Sequence, residues 1–242
     1  MELLDLGFLK TKVNIMKKIL LVLLLSSTFL FSQYKSPKRE LRGAWIATVV
    51  NIDWPLSKDT TVAVQKQNLI NQLDSLSNAG INTIFFQVRT ECDAFYNSKY
   101  EPWSHWLTGK QGKAPEPFYD PLKFAIEETH KRGMELHAWF NPYRAVRDTA
   151  LYELDENHVA VKHPEWIITS QKFKMLDPGL PEVRTHVLNV MNDVLTNYDI
   201  DGIHFDDYFY PYGPKISNED SLTYVNHSRG ISDIDDWRRD NI

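Results

Sequence analysis

From residue 41 onward, short apolar runs alternate with segments whose apolar positions recur every three or four residues, the pattern of strands each followed by a covering helix. Arg42–Val50 predicts the first strand. A helix is predicted over Val62–Ala79, where Leu69, Ile70, Leu73 and Leu76 share one face and Gly80 closes the last turn. Ile81–Arg89 predicts the second strand. Asp120 and Pro121 supply the cap and first-turn residue of another helix, Gly133 ends it, and Met134–Phe140 predicts the third strand. Pro181 opens a helix to Asn197, with Val183, Val187, Met191, Val194 and Leu195 at helical spacing, and Gly202–Phe205 predicts the fourth strand. Ser232 onward carries a further helix-start pattern.

Apolar strands that alternate with helices describe a parallel sheet covered on its outer face. An open doubly wound sheet would place a glycine-rich phosphate loop after the first strand, and none is present. Polar and aromatic residues instead crowd just past each strand's carboxyl end: Asn51, Asp53 and Trp54; Arg89, Glu91 and Asp93; Asn141 and Arg144; Asp206, Asp207 and Tyr208. Barrel enzymes build their sites there. The expected fold class is therefore α/β, a (β/α)8 TIM-type barrel. Four βα units are visible where a barrel needs eight, so residues 41–242 read as roughly its first half.

The amino terminus adds a destination. Lys17 and Lys18 precede the apolar run Ile19–Leu25, and the small residues Ser26, Ser27 and Ser32 follow, the order of a secretory signal over residues 1–32. Met16 starts such a signal by itself, so residues 1–15 read either as an over-extension of the reading frame or as part of the chain. The expected mature chain begins near Gln33, passes through a polar lead-in over 33–40, and resides in the periplasm or outside the cell. The run is too short and serine-rich for the roughly 20 apolar residues of a spanning helix, so no integral membrane domain is expected after signal removal, the plainer alternative being an uncleaved membrane anchor. A net charge of -5 speaks against a nucleic-acid partner, and 7 Trp, 11 Tyr and 12 Phe supply ample core. The single cysteine, Cys92, allows neither an internal disulfide nor a Cys-based zinc site.

The densest candidate chemistry lies in Asp201–Pro211. Strand alternation puts His204 and Asp206 on one face, with Asp206 at the strand's end. A carboxylate there suits a glycosidase nucleophile or base, which needs an ionised oxygen beneath an oxocarbenium-like carbon, and Asp207 beside it adds like-charge repulsion. The plainer alternative is that the acidic pair caps a following helix. Gln87 and Arg89 share one face of the second strand; His137, Trp139 and Asn141 share one face of the third. Arg89 and Asn141 suit hydrogen bonding to sugar hydroxyls, although Arg89 equally suits a buried ion pair and His137 a core hydrogen bond. The long connection Thr90–Tyr119 carries Phe95, Tyr96, Tyr100, Trp103, His105, Trp106 and Phe118. It reads as a stacking wall for sugar rings or as a small satellite core. Asp177 in the turn before Pro181 reads mainly as structural. His137, His204 and Asp206 lack the ligand spacing of hydrolytic zinc sites, so neither metal nor cofactor is called for.

Six ordered motifs carry a resemblance: Arg42-Gly-Ala-Trp-Ile-Ala-Thr, Asn51-Ile-Asp-Trp-Pro55, Phe86-Gln-Val-Arg-Thr90, Ala138-Trp-Phe-Asn-Pro142, the Asp177-Pro178 turn and Gly202-Ile-His-Phe-Asp-Asp-Tyr208. Together, from about Arg39 to the chain end, they resemble the glycosyl-hydrolase-like 10 family. The resemblance implies a (β/α)8 domain of exported bacterial proteins acting on polysaccharides, with peptidoglycan glycan strands as one candidate substrate. It places Asp206 and Asp207 in the acidic strand-end motif, and Arg89 and Asn141 in site-lining motifs. The reading that results has Asp206, Asp207 and Glu91 as catalytic candidates, the general acid being Glu91, Asp93 or a residue beyond 242. Arg89, Asn141, His204, His137, Trp103, Trp106, Tyr208, Trp45 and Asp53 are the substrate-binding candidates. A noncatalytic glycan-binding protein and a metal-dependent carbohydrate deacetylase are the alternatives.

Overall fold

The computed structural model describes residues 40–170, 172–206, 210 and 219–242. The signal, the lead-in up to residue 39, Asp207 and Tyr208 lie outside them. Strand β1 (Gly43–Ile46) pairs with β2 (Thr83–Arg89), β2 with β3 (Glu135–Phe140), and β3 with β7 (Gly202–Phe205), all parallel. The predicted strands are all found, β1 shorter at both ends, at its carboxyl end because Val49–Asn51 turns into a 3-10 segment.

Helix α1 (Val62–Asn78) follows β1, capped by the Thr61 side chain; α3 (Pro121–His130) follows β2, capped by Asp120; α5 (Pro181–Asn197) precedes β7. Gly80 and Gly133, just past α1 and α3, take the positive φ that ends a helix most cheaply. One sheet face, with Ile46, Ile84, Phe86, Leu136, Ala138 and Phe140, is buried in a core shared with Leu69, Leu73, Leu122, Ile126 and Val190 of the helices.

The other face carries Trp45, Phe85, His137, Trp139 and His204, which register places on laterally paired positions. Trp45 is 57% exposed there. Its Nε1 donates to His204 Nε2 at 3.0 Å, although these residues stand on the two edge strands. In a flat sheet those strands would lie about 14 Å apart, three interstrand spacings, beyond the reach of both side chains. The sheet is therefore curled, with this face concave.

Sequence periodicity does not reveal a second sheet, β4 (Arg144–Val146), β5 (Ile167–Ser170) and β6 (Phe173–Leu176), antiparallel in the order β4-β6-β5. Short helices α2 (His105–Thr108) and α4 (Val159–Lys162) lie in the connections. Helices α6 (Ser221–His227) and α7 (Ile234–Asp240) close the chain, the latter matching the helix start expected from Ser232. Among the described residues, no helix is long and apolar enough to cross a membrane.

Candidate active site at the strand ends

The carboxyl ends of the four parallel strands are joined by one run of hydrogen bonds. Gln87 Oε1 accepts from the backbone N–H groups of Thr48 and Val49, each at 2.9 Å, and so fastens the end of β1 to β2. Gln87 Nε2 donates to the Asn141 side-chain oxygen at 3.2 Å, which also accepts from Arg144. The Asn141 amide is assigned in the orientation that these two donors require. Its nitrogen then donates to both oxygens of Asp206, at 3.0 and 3.1 Å, just past β7. Asn141 and Gln87 are buried, whereas Asp206 is half-buried at the sheet's rim. This array holds a carboxylate in one orientation above the concave face.

Strained backbone adjoins it. Val50 and Asn51, directly after β1, have φ of 56° and 54°, and Cys92, after β2, has 52°. For β-branched Val50 this is an outlier, and such strain concentrates at functional sites. Asn51 Nδ2 donates to the Trp106 carbonyl at 2.8 Å, which ties the first strand-end loop to the second.

The other sequence candidates have distinct placements. Arg89 does not share the face of Gln87, because register shifts between the two and sets Arg89 opposite Phe140. Its buried guanidinium pairs with Glu101 at 2.6 and 2.7 Å, and also donates to the Asn141 and Pro142 carbonyls and toward Cys92 Sγ. The ion-pair alternative describes it, and its contribution to the site is to position the Asn141 backbone.

Glu91 is fully buried. Oε1 accepts from the Arg147 N–H at 2.5 Å, while Oε2 accepts from Trp106 Nε1 at 3.1 Å and the Tyr152 hydroxyl at 2.9 Å. Burial and then the neighbouring Asp93 push its carboxyl above the usual range. Without exposed surface, it clamps three segments together. Asp93, also fully buried, caps the same turn through Thr90 and the Glu91 N–H.

His204 Nε2 accepts from Trp45, and burial lowers its pKa. His137 lies one rung further from the strand ends, edge-on to Phe85, with Nε2 at 3.3 Å from Glu135. Asp53 accepts from the Ala47 N–H and shapes the loop after β1.

The aromatic connection packs mainly into the main core, and forms neither a separate satellite core nor an open wall. Phe95, Tyr96, Trp106 and Tyr119 are buried within the main cluster, while Trp103 is half-buried and edge-on to Phe118. Trp106 is thus not an exposed stacking surface. Asp177 is structural, accepting from the Gly179 N–H and the Thr223 hydroxyl. Among the described residues, no three His, Cys, Asp or Glu side chains gather in a way that would hold a metal ion.

Gln87 and Arg144 joined the site without being singled out as binding candidates. Alternation already put Gln87 on the face of Trp139 and His204, which is the signal that would have found it. Tyr152, which holds Glu91, had no comparable signal.

The model of the family described as glycosyl hydrolase-like 10 matches residues 40–242. "Glycosyl hydrolase YngK" of Bacillus subtilis (strain 168) is 47% identical over 231 residues, covering 92% of this chain and 44% of the relative. "Glycosyl hydrolase DigH" of Escherichia coli (strain K12) is 43% identical over 217 residues, covering 83% and 49%. The chain spans about half the length of these curated relatives. The solved structure of alpha-L-fucosidase isoenzyme 2 from Paenibacillus thiaminolyticus superposes with a TM-score of 0.52 at 14% identity, covering 84% of this chain and 28% of that one, a likeness of fold.

Proposed function

Because the chain belongs to the glycosyl hydrolase-like 10 family, we propose that it contributes the first half of a (β/α)8 barrel in an exported glycoside hydrolase, with Asp206 as nucleophile or base. The observation that carries this reading is the Asn141 amide donating to both oxygens of a carboxylate at a parallel strand's end. A fixed carboxylate beneath an anomeric carbon stabilises the positive charge that develops there, and its fixed orientation avoids reorganisation during the reaction. The sheet's curl supports barrel geometry, and the charge, apolar and serine order of residues 17–32 supports export.

Asn141 and Gln87 position the carboxylate, and Arg89 holds the Asn141 backbone from behind. With Glu91 sealed in the loop core, the general acid comes from another segment. The substrate class is carbohydrate, and peptidoglycan glycan strands are the polysaccharide to test first.

The test is release of new reducing ends from purified glycan strands by a chain extended to the relatives' length. Asp206→Asn should lower the rate by orders of magnitude while strand affinity stays within a few fold, since the substitution removes charge but little surface. Wild-type protein that binds strands and releases no reducing ends would establish the noncatalytic alternative. Chelator-sensitive release of acetate would establish the deacetylase.

A further inference from the structure

A second opening, of about 530 Å³, lies between residues 105–111 and 152–156, and none of Gln87, Asn141 and Asp206 lines it. Its size is that of small-molecule sites. Gln111 lies in its wall and is only 3% exposed. Its Oε1 accepts from the Asp155 N–H at 2.8 Å, which fixes the amide, yet its buried Nε2 has no hydrogen-bond partner among the described residues. Native proteins seldom bury a donor without a use for it. The same opening is lined by His105 and Tyr152, stacked at 4.2 Å with ring planes 5° apart. Burial, followed by Lys58, lowers the His105 pKa. Exposed Glu153 and Glu156 stand at the lining with Lys110, a balance that disfavours anions and offers carboxylate acceptors to hydroxyl groups.

We propose that this cavity is a second carbohydrate subsite for an uncharged sugar unit, with Gln111 Nε2 donating to a hydroxyl or acetamido oxygen and the His105–Tyr152 pair forming the wall. The choice of a sugar rests on the glycan-hydrolysis reading; the place, and the need for an uncharged hydrogen-bond acceptor, rest on the cavity. Occupancy has a built-in reporter, because the Tyr152 hydroxyl and Trp106 Nε1 both donate to Glu91 Oε2.

The test titrates the intact chain with N,N',N''-triacetylchitotriose and with cellotriose, following amide and indole resonances by NMR. Saturable shifts are expected at the Gln111 side-chain amide and the Trp106 indole. Gln111→Glu keeps the acceptor for Asp155 and replaces the donor nitrogen with oxygen, so it should weaken binding at least tenfold. Glu153→Trp at the exposed rim fills the mouth without touching the buried network and should weaken binding comparably. No saturable binding of either sugar, shifts confined to Gln87 and Asn141, or wild-type affinity in both variants would overturn the proposal. Reducing-end release by a chain extended to the relatives' length, measured in parallel, separates the two readings. Binding at Gln111 without cleavage leaves the subsite standing and removes the hydrolase; cleavage without shifts at Gln111 does the reverse.

Discussion

Glu101 and Arg89 form a fully buried pair 2.6 Å apart, and His186 donates to the same carboxylate at 3.2 Å. Burial alone would raise the Glu101 pKa, but the Arg89 charge and the His186 hydrogen bond outweigh it and hold the carboxyl at about 2. Removing one buried charge strands the other, so Glu101→Gln should cost about 3–5 kcal/mol in urea unfolding. The folded pKa lies below the ordinary 4.5, so this stabilisation is complete above that value and is lost as pH falls toward 2. Wild-type stability should fall through that window, and the variant's should fall less steeply. The pairing was not legible in the sequence. Strict alternation set Arg89 beside Gln87, and only the bulge between them turns it toward a loop carboxylate twelve positions on.

At the scale of elements, β2, β3, β7 and the three long helices were legible because their apolar periods run long enough to be distinctive. The sheet of β4, β5 and β6 was not, since strands of three or four residues carry too little alternation to separate from loop. Two contacts between elements make quantitative expectations. A Cβ on Gly202 would stand 2.7–2.9 Å from the His137 ring, so Gly202→Ala should destabilise by about 1–3 kcal/mol. His137→Ala should restore most of that loss, a coupling that a double-mutant cycle reads directly. At the end of β1, Val50 holds φ of 56° although it is 37% exposed. Val50→Asn, a residue that tolerates the left-handed region, should raise stability by about 1 kcal/mol, or roughly 2–4 °C in Tm.

At the scale of the molecule, the concave face is open to solvent, with Trp45 57% exposed, and β1 and β7 each pair on one side only among the described residues. Open strand edges beside apolar surface favour association. Residues 33–242 alone should therefore self-associate in sedimentation and melt over a broad range. A chain extended to the relatives' length should be monomeric and melt cooperatively. A monomeric, cooperatively melting 33–242 protein would show that the curled sheet is sufficient as it stands. The parallel order and the placing of the candidate site at the strand ends were legible from sequence; the curl was not, because it depends on a contact between residues 159 positions apart.

The relay at the strand ends also has a direction. Every link passes a hydrogen the same way: from the Thr48 and Val49 N–H to Gln87, from Gln87 to Asn141, and from Asn141 to Asp206. Either amide can rotate by half a turn in isolation, but a reversal begun at Asp206 halts at Thr48 and Val49, whose backbone hydrogens cannot be turned around. The array behaves as a rectifier that offers hydrogens to position 206 and declines to receive them. An asparagine there must set one amino group against another, and the mismatch travels back to the first strand. The amide resonances of Thr48 and Val49 therefore become remote gauges of whatever occupies the end of the fourth parallel strand.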